Sequence, residues 1–125
     1  MVLKDLRYTA DHTWVKAEGD RVKVGITDYA QKELGDVVFV DLPDVGEIFS
    51  AKNVMVSIES VKAVSEINAP VSGEIMEVNE DLEHSPELVN QDPYKKGWIA
   101  IIEYSEKNEL KGLLSASEYA ALIGE

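Results

Sequence analysis

The stretch Val54-Met-Val-Ser-Ile-Glu-Ser-Val-Lys-Ala-Val-Ser-Glu-Ile-Asn68 sets two apolar, β-branched runs on either side of a single lysine, Lys62. Residues 54–58 and 64–68 have the composition and length of strands, and Glu59-Ser-Val-Lys-Ala63 joins them. The simplest folding is a hairpin with Lys62 at or near its tip. A cation on a buried strand face is costly unless paired, so the tip also solves an electrostatic problem. Spacing alone leaves two readings open. Lys62 is either a plain solvent-facing turn lysine or a lysine built to be acylated. Its amine turns freely on a four-carbon stem above a rigid sheet, and an acyl amide removes the charge that opposes burial.

The rest of the chain repeats this grammar. Residues 13–18 and 21–26 alternate with period two about the turn Glu18-Gly-Asp20, which predicts another hairpin. Residues 27–34 offer Thr27 or Asp28 as a cap and Gly35 as a stop, which predicts a short helix. A strand over 36–42 ends at Pro43-Asp-Val-Gly46, and strands follow over 73–78 and 97–104, with Pro70 and Gly73 marking a bend. Ser85-Pro86 reads as an N-cap with proline at the first helical position. A turn of helix over 108–114 precedes the capping box Ser115-x-x-Glu118, which opens a C-terminal helix running to Ile123. Many short strands with turn signals predict a mainly β sandwich or small barrel trimmed by short helices. No linker or composition shift divides residues 1–125, so one domain is expected.

Composition narrows the partners. Twelve basic and twenty-four acidic residues leave a net charge of −12, which argues against nucleic acid and anionic membrane surfaces and favours basic protein surfaces, unless the charge serves solubility alone. No apolar run has the length of a membrane span. There is no cysteine, which removes disulfides, thiolate metal sites and cysteine nucleophiles. The opening Met-Val-Leu-Lys-Asp-Leu-Arg has neither an apolar signal core nor the Arg- and Ser-rich composition of a transit peptide, so a cytoplasmic protein is expected, or a mitochondrial one if a leader has been removed. A monomer that docks transiently suits such a chain.

Residues able to do chemistry are scarce. There is no GxSxG, P-loop or GxGxxG motif, and His12 and His84 lack metal-pair spacing and read as surface or capping residues. Carboxylates are so abundant that no pair stands out as a general acid and base, which leaves a hydrolase reading without support. No catalytic residue and no metal site is expected; the chain reads as something acted upon.

At Glu59-Ser-Val-Lys-Ala63 the sequence resembles the glycine cleavage H-protein family, whose members carry lipoate on a lysine. Blocks in the same order extend the resemblance over nearly the whole chain: His12-x-Trp14, Val24-Gly-Ile-Thr-Asp-Tyr-Ala-Gln31, Leu34-Gly-Asp-Val-Val-Phe-Val40, Leu42-Pro43, Asn68-Ala-Pro70, Pro93-Tyr94 and Gly97-Trp98. The resemblance implies a barrel-sandwich hybrid of antiparallel sheets with short peripheral helices. It implies lipoate on Lys62, within the motif residues Glu59, Ser60, Val61 and Ala63. It further implies a carrier, not an enzyme. Its partners would be a pyridoxal-phosphate glycine decarboxylase (P protein), an aminomethyltransferase (T protein), a dihydrolipoyl dehydrogenase (L protein), and a lipoyl or octanoyl transferase or lipoate ligase that loads the lysine.

In that family the loaded arm folds back into a cleft of the carrier. The family's usual glutamate between histidine and tryptophan is Thr13 here, so Asp11 is expected to supply the missing charge, with Thr13 as a hydrogen-bond acceptor. Glu66 stands where aspartate is more usual near the lysine, which keeps the charge and lengthens the reach, so with Asp11 and Thr13 it is an expected residue of the arm cleft; Asn53 is expected to take a left-handed turn conformation where the family has glycine. Two rival carriers share the tip lysine. A biotinyl carrier resembles Met-Lys-Met rather than Val61-Lys62-Ala63, and a lipoyl relay protein would pass lipoyl groups to other enzymes.

Overall fold

Residues 2–125 are described by the computed structural model. In chain order they form β1 (Arg7–Tyr8), β2 (Thr13–Glu18), β3 (Arg21–Ile26), α1 (Asp28–Leu34), β4 (Val37–Asp41), β5 (Ile48–Phe49), β6 (Val54–Ser60), β7 (Val64–Asn68), β8 (Gly73–Val78), α2 (Asp81–His84), α3 (Leu88–Gln91), β9 (Ala100–Tyr104), α4 (Lys107–Lys111) and α5 (Ala116–Ile123). The strands build a six-stranded antiparallel sheet, β1-β2-β3-β9-β8-β5, and a three-stranded one, β4-β6-β7. Period-two alternation turns Val22, Val24, Ile75 and Ile102 of the first sheet and Val40, Val56, Ile58 and Ile67 of the second into one shared core. The expected barrel-sandwich hybrid with peripheral helices is thus the observed architecture. No helix of the described residues is long and apolar enough to cross a membrane.

A second, smaller cluster of Leu6, Tyr8, Trp14 and Tyr119 lies between β1, β2 and α5. Gly25 lies directly across from Trp14 in the β2–β3 ladder, and a Cβ on it would stand 2.7 Å from the indole. The glycine therefore gives the tryptophan its place. Trp14 Nε1 donates to the Pro93 carbonyl at 2.9 Å, so the buried indole keeps its partner.

Local signals set both principal helices. Thr27 accepts from the Ala30 N–H at the head of α1, and Gly35 follows it. Ser115 and Glu118 form the reciprocal capping box of α5, which stops at the left-handed Gly124.

Several local expectations need correction. The last long strand begins at Ala100 rather than residue 97, because the Asn79 side-chain amide takes the Lys96 and Trp98 carbonyls, leaving them unavailable to a ladder. Ser85 caps nothing with its side chain: its N–H closes α2 on Asp81, and α3 is headed by Glu87. The left-handed residue before β6 is Lys52, φ 76°, not Asn53, whose carbonyl is held by the Ala69 N–H at 2.8 Å. Strands β1 and β5 and helix α2 are too short for periodicity to announce them.

Candidate functional site

The β6–β7 hairpin carries Lys62 at its exposed tip. Glu59 faces Val64 across the ladder, and the Ser60 N–H meets the Ala63 carbonyl at 2.8 Å, so the turn encloses only Val61 and Lys62. Ser60 Oγ tightens it by accepting from the Lys62 and Ala63 N–H groups. The Val61 N–H donates to the Asp36 carbonyl at 3.0 Å, which ties the tip to the α1–β4 junction. Among the described residues Lys62 forms no ion pair.

That junction is built for the lysine. Gly35 sits at φ 79°, ψ −161°, a region essentially restricted to glycine, and a Cβ there would lie 3.4 Å from Lys62 Cε. Below it, Asn90 of α3 receives the Val37 N–H and donates to the Gln31 side chain and the Gly35 carbonyl. One side chain thereby holds the helix end, the glycine and the next strand together. No local sequence signal marks Asn90 for this role, because its partners lie more than fifty residues away.

Beside the tip runs a cleft of about 180 Å³. Ala63, Ser65 and Ile67 form one wall and Ala30 and Leu34 of α1 the other, with Glu33 at its edge and Asp11 and His12 closing it. Asp11 belongs to the turn before β2, its N–H bonded to Thr9 Oγ1 and its carboxylate 3.4 Å from the Asn68 amide. The other two expected cleft residues do not line it. Glu66 alternates with Ser65 and Ile67 and points to the opposite face of β7. Thr13 is buried, and its Oγ1 has no hydrogen-bond partner among the described residues, so this hydroxyl is spent inside the fold at a cost of about 1–3 kcal/mol. Glu33 was missed, although its spacing from Ala30 and Leu34 places all three on one helical face.

His12 is neither a surface nor a capping residue. It is half-buried at φ 69°, its carbonyl holds the Thr27 N–H, and its Nδ1 lies 2.8 Å from the Tyr119 hydroxyl. Burial lowers its pKa below the ordinary histidine value, against the opposing pull of Asp11 and Glu33. The cleft therefore combines a neutral imidazole with two carboxylates, a setting that favours a bound cation. A larger groove of about 950 Å³, between Trp14, Lys23, Tyr94 and Trp98, includes no residue of the Lys62 hairpin. Among the described residues no group of acids and histidines is placed to hold a metal ion.

A sequence profile of the glycine cleavage H-protein matches residues 6–125. The chain belongs to the glycine cleavage H-protein family. It is 53% identical to the glycine cleavage system H protein of Bacillus licheniformis over 122 residues, 98% of this chain and 96% of that one. The Bacillus subtilis protein of the same name is 50% identical over the same shares. The crystal structure of a glycine cleavage system H protein from Mycobacterium marinum superposes with a TM-score of 0.88 at 43% identity, covering 99% of this chain and all of that one. Family members are lipoyl carriers, so the chain is a non-catalytic carrier subunit of the glycine cleavage system.

Proposed function

We propose that Lys62 is the lipoyl attachment point and that the chain is the carrier of glycine cleavage. It would take an aminomethyl group from the decarboxylase to the aminomethyltransferase and then meet dihydrolipoyl dehydrogenase. The observation that carries this reading is Lys62 itself. An unpaired, exposed lysine stands at the tip of a hairpin anchored to a glycine platform, in the Glu59–Ala63 motif of a lipoyl-carrier family. When bound, the lipoyl group supplies the disulfide that accepts the cargo and the dithiol that is later reoxidised.

The residues around the tip fit such an arm. Gly35 leaves room for the lysine stem, Ala30, Leu34 and Ile67 offer apolar walls to a hydrocarbon chain, and Asp11 and Glu33 offer carboxylates to an aminomethyl ammonium. The chain's task is to expose Lys62 to its loading enzyme, a lipoyl or octanoyl transferase or a lipoate ligase, and afterwards to shield the cargo from water. The net charge of −12 suits partners with basic docking surfaces.

Intact mass and peptide mapping of the protein from its own host test this. A lipoyl-sized increment on Lys62, lost in Lys62→Arg, is the expected result; an unmodified or biotinylated Lys62 in a lipoate-competent cell sinks the reading. For the cleft, Asp11→Asn and Glu33→Gln are expected to speed hydrolysis of the loaded arm, and unchanged rates in both would remove the carboxylates from the account.

A further inference from the structure

The cleft has a direction. Lys62 lies over Gly35, which follows the last residue of α1. His12 instead packs its ring against Tyr29 in the first turn of α1, with centroids 4.6 Å apart. Asp11 meets Asn68 at the end of β7 far from the tip. From Ala63 to Ile67 the strand covers roughly 13 Å at about 3.3 Å per residue. An arm anchored on Lys62 and laid along β7 therefore brings its end, not its amide, to Asp11 and His12.

The protons on His12 follow from its partners. Thr27 is fully buried; its Oγ1 accepts from the Ala30 N–H and lies 2.7 Å from the Tyr119 hydroxyl, which lies 2.8 Å from His12 Nδ1. If Nδ1–H donated to Tyr119 and Tyr119 to Thr27, the Thr27 hydrogen would have no acceptor among the described residues, an expensive omission in a buried site. In the reverse order Thr27 donates to Tyr119 and Tyr119 donates to Nδ1, so both hydroxyl protons are used. The neutral imidazole then carries its hydrogen on Nε2. Nδ1 is turned inward to Tyr119, which leaves Nε2 as the nitrogen available to the cleft that His12 lines.

We propose that His12 is a binding residue of the cleft, fixed in its Nε2–H form by Thr27 and Tyr119, and that it donates this hydrogen to a sulfur at the end of the lipoyl arm. This rests on Lys62 as the attachment point. The division of work is chemical: the carboxylates of Asp11 and Glu33 receive a cation, while the uncharged imidazole donates to the neighbouring sulfur without repelling that cation. Tyr119 makes α5, the last helix of the chain, a positioning element for the cleft.

The first measurement needs no lipoyl group. In the full unmodified chain labelled with ¹⁵N-histidine, His12 at about pH 7.5 is expected as the Nε2–H tautomer; an Nδ1–H tautomer or an imidazolium overturns the proposal. Tyr119→Phe keeps the ring that stacks on Tyr8 and removes only the hydroxyl, so a mixture of tautomers is expected. In the lipoylated chain the His12 nitrogen signals are expected to shift. Loss of the cargo by hydrolysis should become roughly fivefold to tenfold faster in Tyr119→Phe and His12→Phe, with His12→Gln, whose amide approximates Nε2–H, nearer the parent. Unmoved His12 signals with an unaltered hydrolysis rate in Tyr119→Phe overturn this proposal and leave the carrier reading intact. A Lys62 without lipoate in the native host overturns both.

Discussion

The two sheets share one core yet finish differently on the outside. In the six-stranded sheet the long strands β2, β3, β8 and β9 leave no large apolar side chain exposed and only the two-residue edge strand β5 does, at Ile48, whereas the three-stranded sheet and its tip expose Val38, Phe39, Val54, Val61 and Val64. Register orders that outer face: Phe39, Glu59 and Val64 form one row across β4, β6 and β7, and Asp41, Ser57 and Glu66 form the next. A face with only stability to serve would be covered or more heavily charged. This protein divides its labour by sheet. One sheet supplies a closed support, and the other presents Lys62 amid apolar and acidic side chains that suit transient company.

The largest effect on this division is expected at Gly73, where a Cβ would collide with the Glu103 carbonyl. Gly73→Ala is expected to cost about 3 kcal/mol in urea unfolding, through overpacking between β8 and β9. Molecules that remain folded should still accept lipoate on Lys62. A smaller effect is expected from Asn90→Ala, which strands the Val37 N–H and the Gly35 carbonyl; about 2 kcal/mol should be lost, and lipoate attachment should slow because the tip loses its platform. If Asn90→Ala lowers stability without touching attachment, the platform is only structural.

Phe39→Ser sharpens the comparison from the other side. Since Phe39 is about half exposed, unfolding free energy should stay within about 0.5 kcal/mol of the parent, while the loading enzyme's KM for the chain rises. A large loss of stability with unaltered loading would reassign Phe39 to the support. The smallest expected effect concerns pH. Folding lowers the His12 pKa, so the unfolded chain binds the extra proton more readily; the resulting stability is present above the unfolded value near 6.5 and is lost as pH falls through the folded value. Unfolding free energy should therefore drop more steeply from about pH 7 to about pH 5 in the parent than in His12→Asn, a residue tolerant of the local positive φ. Parallel curves would mean that His12 titrates alike in both states.

Where the physical cause acts over a few residues, the structure is legible in the sequence. The runs flanking Lys62 alternate as strands must, Thr27 caps α1, and Ser115 with Glu118 closes the box of α5, so each signal and its partner lie within four residues or so. Family resemblance then picked out Lys62 among twelve basic residues. Only tertiary structure decided what surrounds the lysine. The cleft gathers residues 11–12, 30–34 and 63–67, which no local period relates, and it turns Ser65 and Ile67 inward while sending Glu66 to the far face. Likewise Thr13 is shut inside, Asn90 reaches across to Gly35, and Tyr119 finds His12 from the other end of the chain. Hydrogen bonds and burial between segments so far apart become legible only when the two sheets close on their common core.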